Sequence, residues 1–290
     1  MRGLTDWHSA RRNNALLTQP DLEPPAPRGA IARAVSFLRP YALGAAGSLY
    51  LFTVGWIRPK NRAAIVELVH HFGYHHESRE PALLPELTIG ELAPADHPID
   101  LRAIESVDGN VTDRELVNIC RIVRNVAPAR IFEFGTFDGR TALNMAANAG
   151  KDAAVYTIDL PRAAIETASK PIHRDEVRYA DKAVSGARYR GTDAEDRIEQ
   201  LYGDSGSFDF SAYYGSIDLI FIDASHTFDY VVNDSLHALR MLRPSGGTII
   251  WHDYSRWDGV TRALNQLHRK HPRFAGLARI TGTTLAVLRV

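Results

Sequence analysis

Arg130-Ile131-Phe132-Glu133-Phe134-Gly135-Thr136-Phe137-Asp138-Gly139-Arg140-Thr141 is the stretch that decides the fold. A short apolar run, a glycine turn and a resumed polar-apolar pattern read as strand, tight loop and helix, the opening of a βαβ unit. Glycines at 135 and 139 let the backbone turn sharply and approach a ligand with no Cβ in the way. Their spacing is G-x-x-x-G. A dinucleotide fold uses G-x-G-x-x-G, because a pyrophosphate must rest on the helix N-terminus. A looser glycine turn preceded by the carboxylate of Glu133 suits a ligand carrying an amino-acid group and a sulfonium instead.

Outward from this segment, short apolar runs alternate with helical stretches. Strands are expected at 130–135, 154–159, 198–203, 217–223 and 247–252, with helices near 140–149, 228–242 and 258–270. The chain closes with Leu277 to Ile280, a Thr281-Gly282-Thr283 turn and Leu285 to Val290, a hairpin that makes the last strand antiparallel. The expected fold is α/β: a Rossmann-like, doubly wound, mostly parallel sheet ending in an antiparallel hairpin, with an N-terminal helical extension. Residues 1–40, rich in Arg and Pro, are expected to lack stable structure. Residues 41–127 form the helical extension, and 128–290 the ligand-binding domain. Within the extension Thr112 and Glu115 make a capping box for a helix over 112–126, a second helix covers 61–80, and 81–110 is a Pro-rich loop.

The balance of the chain narrows its partners. Its 290 residues carry 34 Lys plus Arg and 34 Asp plus Glu, so no global field draws it to nucleic acid or anionic lipid. A small, nearly neutral ligand fits better. The single cysteine, Cys120, reads as an ordinary buried thiol. Nothing calls for an oxidising compartment, and a cytoplasmic location is expected. The apolar run Tyr41 to Ile57 would be a helix roughly 25 Å long, just under the hydrocarbon thickness of a bilayer. With its three glycines it reads as a packed or interface-buried helix in preference to a membrane attachment. A homo-oligomer is left open. The His70-His71-Phe72-Gly73-Tyr74-His75-His76 run invites a metal reading, but no further ligand lies nearby.

Carboxylates recur where the strands end: Asp159, Asp204 followed by Ser205, Asp223 and Asp253. Ligands of open α/β sheets bind outside the carboxyl ends of the strands. Any one of these acids could cap a helix, whereas their recurrence at one end builds a site. Residues 171–192 are densely charged and read as a solvated loop or as a lid.

Three segments carry a resemblance. E-x-G-x-x-x-G at Glu133 to Gly139 resembles motif I of class I S-adenosylmethionine-dependent methyltransferases. Ile217 to Tyr230, and Leu242 to Gly247 followed by Trp251-His252-Asp253-Tyr254, resemble the sugar and macrolide O-methyltransferases. The resemblance covers about 130–290. It implies S-adenosyl-L-methionine as cofactor, with Glu133, Gly135, Thr136 and Gly139 around its methionine part, Asp159 at the ribose, and Asp204 with Ser205 at the adenine. It implies Mg²⁺ held by Asp223 and Asp253, and His226 as the base acting beside Asp223. The sequence departs from that pattern at His252, where a carboxylate or an Asp-Asn pair is expected. Magnesium prefers oxygen ligands, so a metal set of Asp223, Asp253 and His252 leaves room for another divalent ion or for none. The expected reaction is methyl transfer to a hydroxyl oxygen of a small-molecule acceptor. The rival readings are a nicotinamide-dependent Rossmann oxidoreductase and a non-catalytic module with a retained cofactor pocket. On this reading Gly135→Val fills the methionine site and leaves the domain folded.

Overall fold

The computed structural model describes residues 30–59, 61–62, 64–65, 68, 78–173 and 176–290, with 30–37 described by backbone alone. The chain divides into two units, Met1–Ile57 and Arg58–Val290. In the first, α1 (Ala30–Thr53) leads into a 3₁₀ turn at Gly55–Ile57. α1 begins inside the stretch expected to lack stable structure. The Ala, Leu and Arg residues between 30 and 39 are good helix formers, and they outweigh the Pro-rich character of the residues before them. Leu38, Tyr41, Leu43, Leu49 and Phe52 of α1 are exposed. Among the described residues no helix is long and apolar enough to cross a membrane. The histidine run at 70–76 lies outside the described residues, as does most of the helix expected over 61–80.

The second unit holds one eight-stranded sheet. Its strands are β1 (Glu86–Leu87), β2 (Arg130–Phe134), β3 (Ala154–Asp159), β4 (Ile198–Tyr202), β5 (Leu219–Ile222), β6 (Thr248–Trp251), β7 (Ala278–Ile280) and β8 (Ala286–Arg289). Their order is β1-β7-β8-β6-β5-β2-β3-β4. β2 to β6 pair in parallel, and β8 runs antiparallel between β6 and β7. The Rossmann-like sheet with its terminal antiparallel hairpin is therefore as the sequence indicates, and the five core strands agree with the expected ranges to within two residues.

Side chains alternate between the two faces of the sheet, as the two-residue period of a strand requires. Phe132, Phe134, Ile220, Ile222, Ile249 and Trp251 pack on one face with α6 (Phe228–Met241) and α7 (Asp258–Lys270). For continuity in chain order, the preceding helices are α2 (Ile89–Leu92), α3 (Asp113–Val126), α4 (Arg140–Asn148) and α5 (Val177–Ala180). Ile131, Leu219, Phe221, Ile250 and Val287 pack on the other face with α3 and α4. Covering on both sides explains why the strands read as near-continuous apolar runs. α3 starts at the capping box: Thr112 accepts from the Glu115 N–H while the Glu115 carboxylate accepts from the Thr112 N–H.

The strand order reverses between β2 and β5, so both the β2–α4 turn and the loop after β5 open at this switch point. Gly135 brings them together. It has φ 91°, and a Cβ placed there would lie 2.0 Å from the backbone oxygen of Asp223. This corrects the expectation for Gly135→Val: the side chain would collide with the end of β5 and not merely fill a ligand site. Gly135→Ala should accordingly lower folding stability by more than the ~1–3 kcal/mol typical of a strained backbone. Urea denaturation of the variant checks this, and a midpoint equal to wild type would show that the two turns do not abut.

Candidate active site

The site is assembled from four segments. Asp223 follows β5, and His252 and Asp253 follow β6, whose end is pinned by the His252 N–H donating to the Ile222 carbonyl at 3.0 Å. Asp253 takes a left-handed conformation, φ 63°. That turn aims its carboxylate back at the loop after β5, with Oδ2 2.8 Å from His226 Nε2 and 3.4 Å from His252 Nδ1. Asp223 Oδ1 lies 3.1 Å from His252 Nδ1 and 3.9 Å from His226 Nε2. The ligand atoms of Asp223, His252 and Asp253 all lie within 4.8 Å of one another.

Two further carboxylates close the cluster. Glu115, in the first turn of α3, places Oε2 3.2 Å from His252 Nε2. Its Oε1 accepts from the Thr284 N–H and Oγ at 2.8 Å each. The capping box therefore does double duty, since the same carboxylate that starts α3 orients His252. Glu176 places Oε1 3.0 Å from His226 Nδ1. The imidazole of His226 also stacks on Trp257, 4.7 Å between ring centres and 8° from parallel.

The electrostatics follow from this packing. Burial opposes charge on both histidines, but neighbouring acids outweigh it. The carboxylates of Asp223, Asp253 and Glu176 carry His226 well above its ordinary pKa. The charges of Asp253, Asp223 and Glu115 do the same for His252. Reciprocally, burial tends to raise Asp253, Asp223 and Glu115, and the imidazoles more than reverse that, holding Glu115 at about 2.

The glycine turn borders a second polar region. Glu133 is wholly buried in β2. Thr157 Oγ donates to its Oε2 at 2.5 Å, while Oε1 has no partner among the described residues. Burial pushes this carboxyl well above the usual range. Thr136 Oγ lies 2.7 Å from Thr157 Oγ and accepts from Gln200 Nε2 at 2.9 Å, so Thr136 belongs to the network that supports Glu133. Gly139, φ 86°, also leaves room for protein neighbours. A Cβ there would meet the Tyr189 ring at 2.6 Å and Gly186 Cα at 2.7 Å. Asp159, at the end of β3, is bound by Lys182 at 2.8 Å. Burial raises its pKa, with Lys182 pulling the other way.

Asp204 stands apart from these. Its Oδ1 accepts from the Gly206 N–H and Tyr230 Oη, and Oδ2 from the Ser169 N–H at 2.6 Å. The Ser205 carbonyl accepts from Asn233 Nδ2 at 3.0 Å. Both residues thus tie their loop to α6. Asp223, His226, His252 and Asp253 meet in one cluster, Glu133, Gly135 and Thr136 line the neighbouring turn, and Asp159 is held by the 176–190 segment. In the sequence Glu115 is legible only as a helix cap, and Glu176 and Lys182 only as members of the charged 171–192 loop or lid.

Comparison with known proteins gives a family match over residues 132–254, to a model described as a methyltransferase domain. No curated protein matches the sequence. Solved structures with partial likeness include cofactor-bound Rv0187 from MTB, at 19% identity, 64% of this chain, 83% of that one and TM-score 0.44. Another is the Bacillus cereus O-methyltransferase in complex with SAH, at 17%, 79%, 98% and 0.43. A third is the O-methyltransferase TomG of Streptomyces achromogenes, involved in tomaymycin synthesis and solved with SAM, at 16%, 80%, 99% and 0.43.

Removing one partner of a buried ion pair strands the other, at a cost of about 3–5 kcal/mol. Glu115→Ala should destabilise the protein on that scale in urea denaturation. The pH dependence has a definite sign. Glu115 has a folded pKa of about 2 against 4.5 for the free side chain, so its contribution is present above pH 4.5 and is lost as pH falls towards 2. Glu115→Gln should therefore flatten the stability slope across that window. An unaltered acid limb in the Gln variant would contradict the pairing with His252.

Proposed function

We propose that this chain, whose residues 132–254 match a methyltransferase-domain model, moves the methyl group of S-adenosylmethionine onto a hydroxyl oxygen of a small molecule. The observation that carries the reading is the conjunction at the β2/β5 switch point. A buried carboxyl oxygen of Glu133 has no partner among the described residues, and a cluster of acids and imidazoles stands beside the same turn.

The cofactor fits these residues. Its ammonium would supply the donor that Glu133 Oε1 lacks, and its ribose hydroxyls would take the place of Lys182 on Asp159. When bound, it supplies an electrophilic methyl group on a sulfonium, so the protein's task is to align the acceptor with it and to remove the acceptor's proton. Asp204 and Ser205 belong to the loop that would border the adenine, Asp204 being used to hold that loop in shape.

His226 is proposed as the base, with Nε2 as the working nitrogen. It must be neutral to accept a proton. Burial favours the neutral ring, while Asp223, Asp253 and Glu176 hold the charged one. Compensation of Asp223 and Asp253 by another positive charge would release His226 for that role. Asp223, Asp253 and His252 are the residues that would hold a divalent ion, and such an ion would acidify a hydroxyl bound beside it. The donors fit: Glu115 accepts at Nε2 of His252, which turns Nδ1 towards the two aspartates, the way carboxylates orient metal-ligating histidines. One imidazole among carboxylates suits Mn²⁺ or a softer ion at least as well as Mg²⁺.

A mass-spectrometric screen with isotopically labelled cofactor, in extracts of hydroxylated small molecules, identifies the acceptor by the methyl group it gains. On that acceptor His226→Ala should lower kcat by about 10²–10⁴-fold, the usual loss for a general base, with cofactor affinity nearly unchanged. EDTA should abolish turnover and Mn²⁺ or Mg²⁺ restore it. Full activity of His226→Ala would move the proton transfer to another group, and indifference to EDTA would remove the ion.

A further inference from the structure

Glu176 lies outside the three motif segments that carry the resemblance, in the charged segment between β3 and β4, yet its side chain is almost completely buried. Both of its oxygens are directed at the loop after β5. Oε1 accepts from the His226 backbone N–H at 2.7 Å and lies 3.0 Å from His226 Nδ1. Oε2 accepts from Ser225 Oγ at 3.0 Å. The carboxylate is an acceptor only, so Nδ1 must present its hydrogen to it. Asp253 Oδ2 lies 2.8 Å from Nε2 but out of line with it, so that Nε2 makes no hydrogen bond among the described residues, whereas Nδ1 makes one to Glu176. In a neutral ring this leaves Nε2 bare, facing Asp253 and Asp223. Stacking on Trp257 fixes the plane of the ring but not which nitrogen carries the hydrogen. Glu176 supplies that choice.

We infer that Glu176 is the positioning residue for His226, selecting the neutral tautomer whose bare Nε2 faces Asp223 and Asp253. The same segment carries Lys182, which holds Asp159. A carboxylate accepting at one imidazole nitrogen while the other works is the logic by which catalytic histidines are oriented on unrelated folds. This assignment gives His226 a role-specific partner and rests on His226 being the base, although its test requires no turnover.

The test is nitrogen NMR of full-length protein labelled with ¹⁵N-histidine, recorded above the titration of His226 and assigned by loss of its signals in His226→Ala. Wild type should show the Nδ1–H tautomer. Glu176→Ala should revert to Nε2–H, and Glu176→Gln, whose amide oxygen can still accept, should keep Nδ1–H. Calorimetric titration with S-adenosylhomocysteine should give the same affinity for all three proteins. On the acceptor found by the screen above, kcat of Glu176→Ala should fall by about 10–100-fold, the usual loss when the partner that orients a functional histidine is removed, with KM for the cofactor unchanged. A Glu176 that merely pins the loop would lower thermal stability without moving the tautomer, and Nδ1–H in Glu176→Ala overturns the inference. Should that variant not fold, an Nε2–H spectrum of wild type overturns it equally. Full activity of His226→Ala together with the expected tautomer change would sink the base assignment and leave the positioning intact.

Discussion

Four buried or nearly buried carboxylates, of Glu115, Glu176, Asp223 and Asp253, enclose the imidazoles of His226 and His252. Isolated charges at such depth would be prohibitively costly, and the arrangement persists because each acid faces an imidazole and each imidazole faces more than one acid. This mutual neutralisation ties together parts of the chain that are distant in sequence. α3 reaches the site through Glu115, the β3–β4 segment through Glu176, and the ends of β5 and β6 through the other acids. A change at one member is therefore felt by elements that do not touch it.

The fold makes this concentration of charge feasible. Parallel strands all end on the same edge, and the strand order reverses there between β2 and β5, the place where ligands of open α/β sheets bind. Gly135 narrows the distance between the two turns to backbone contact. The hydrophobic faces on either side of the sheet then act as a rigid frame, so side chains at the strand ends are held where a ligand can exploit them.

Much of this was legible in the sequence, for identifiable reasons. The strands announce themselves as apolar runs because both faces of the sheet are covered. Asp223, His226, His252 and Asp253 could be grouped because each follows a strand closely, and parallel topology brings strand ends together. The capping box at Thr112 and Glu115 is a local pattern and was readable as one, but its reach to His252 spans 137 residues and no local pattern encodes that. Gly139 reads in the sequence as room for a ligand, and the fold adds a need the sequence does not show, room for Tyr189. Glu176 and Lys182 sit among many charges of a loop, and only the folded path of that loop distinguishes them from solvated neighbours.

The central claim is that the Glu133 carboxyl, kept neutral by burial, is completed by the ammonium of S-adenosylmethionine. Ionising a carboxyl on binding expels a proton, so binding heat must depend on the buffer that takes it up. Calorimetric titration with S-adenosylmethionine in two buffers of different ionisation enthalpy, below the raised pKa of Glu133, measures this directly. The account predicts saturable binding with about one proton released, and no release in Glu133→Gln. Absence of binding, or proton release undiminished in Glu133→Gln, would contradict it.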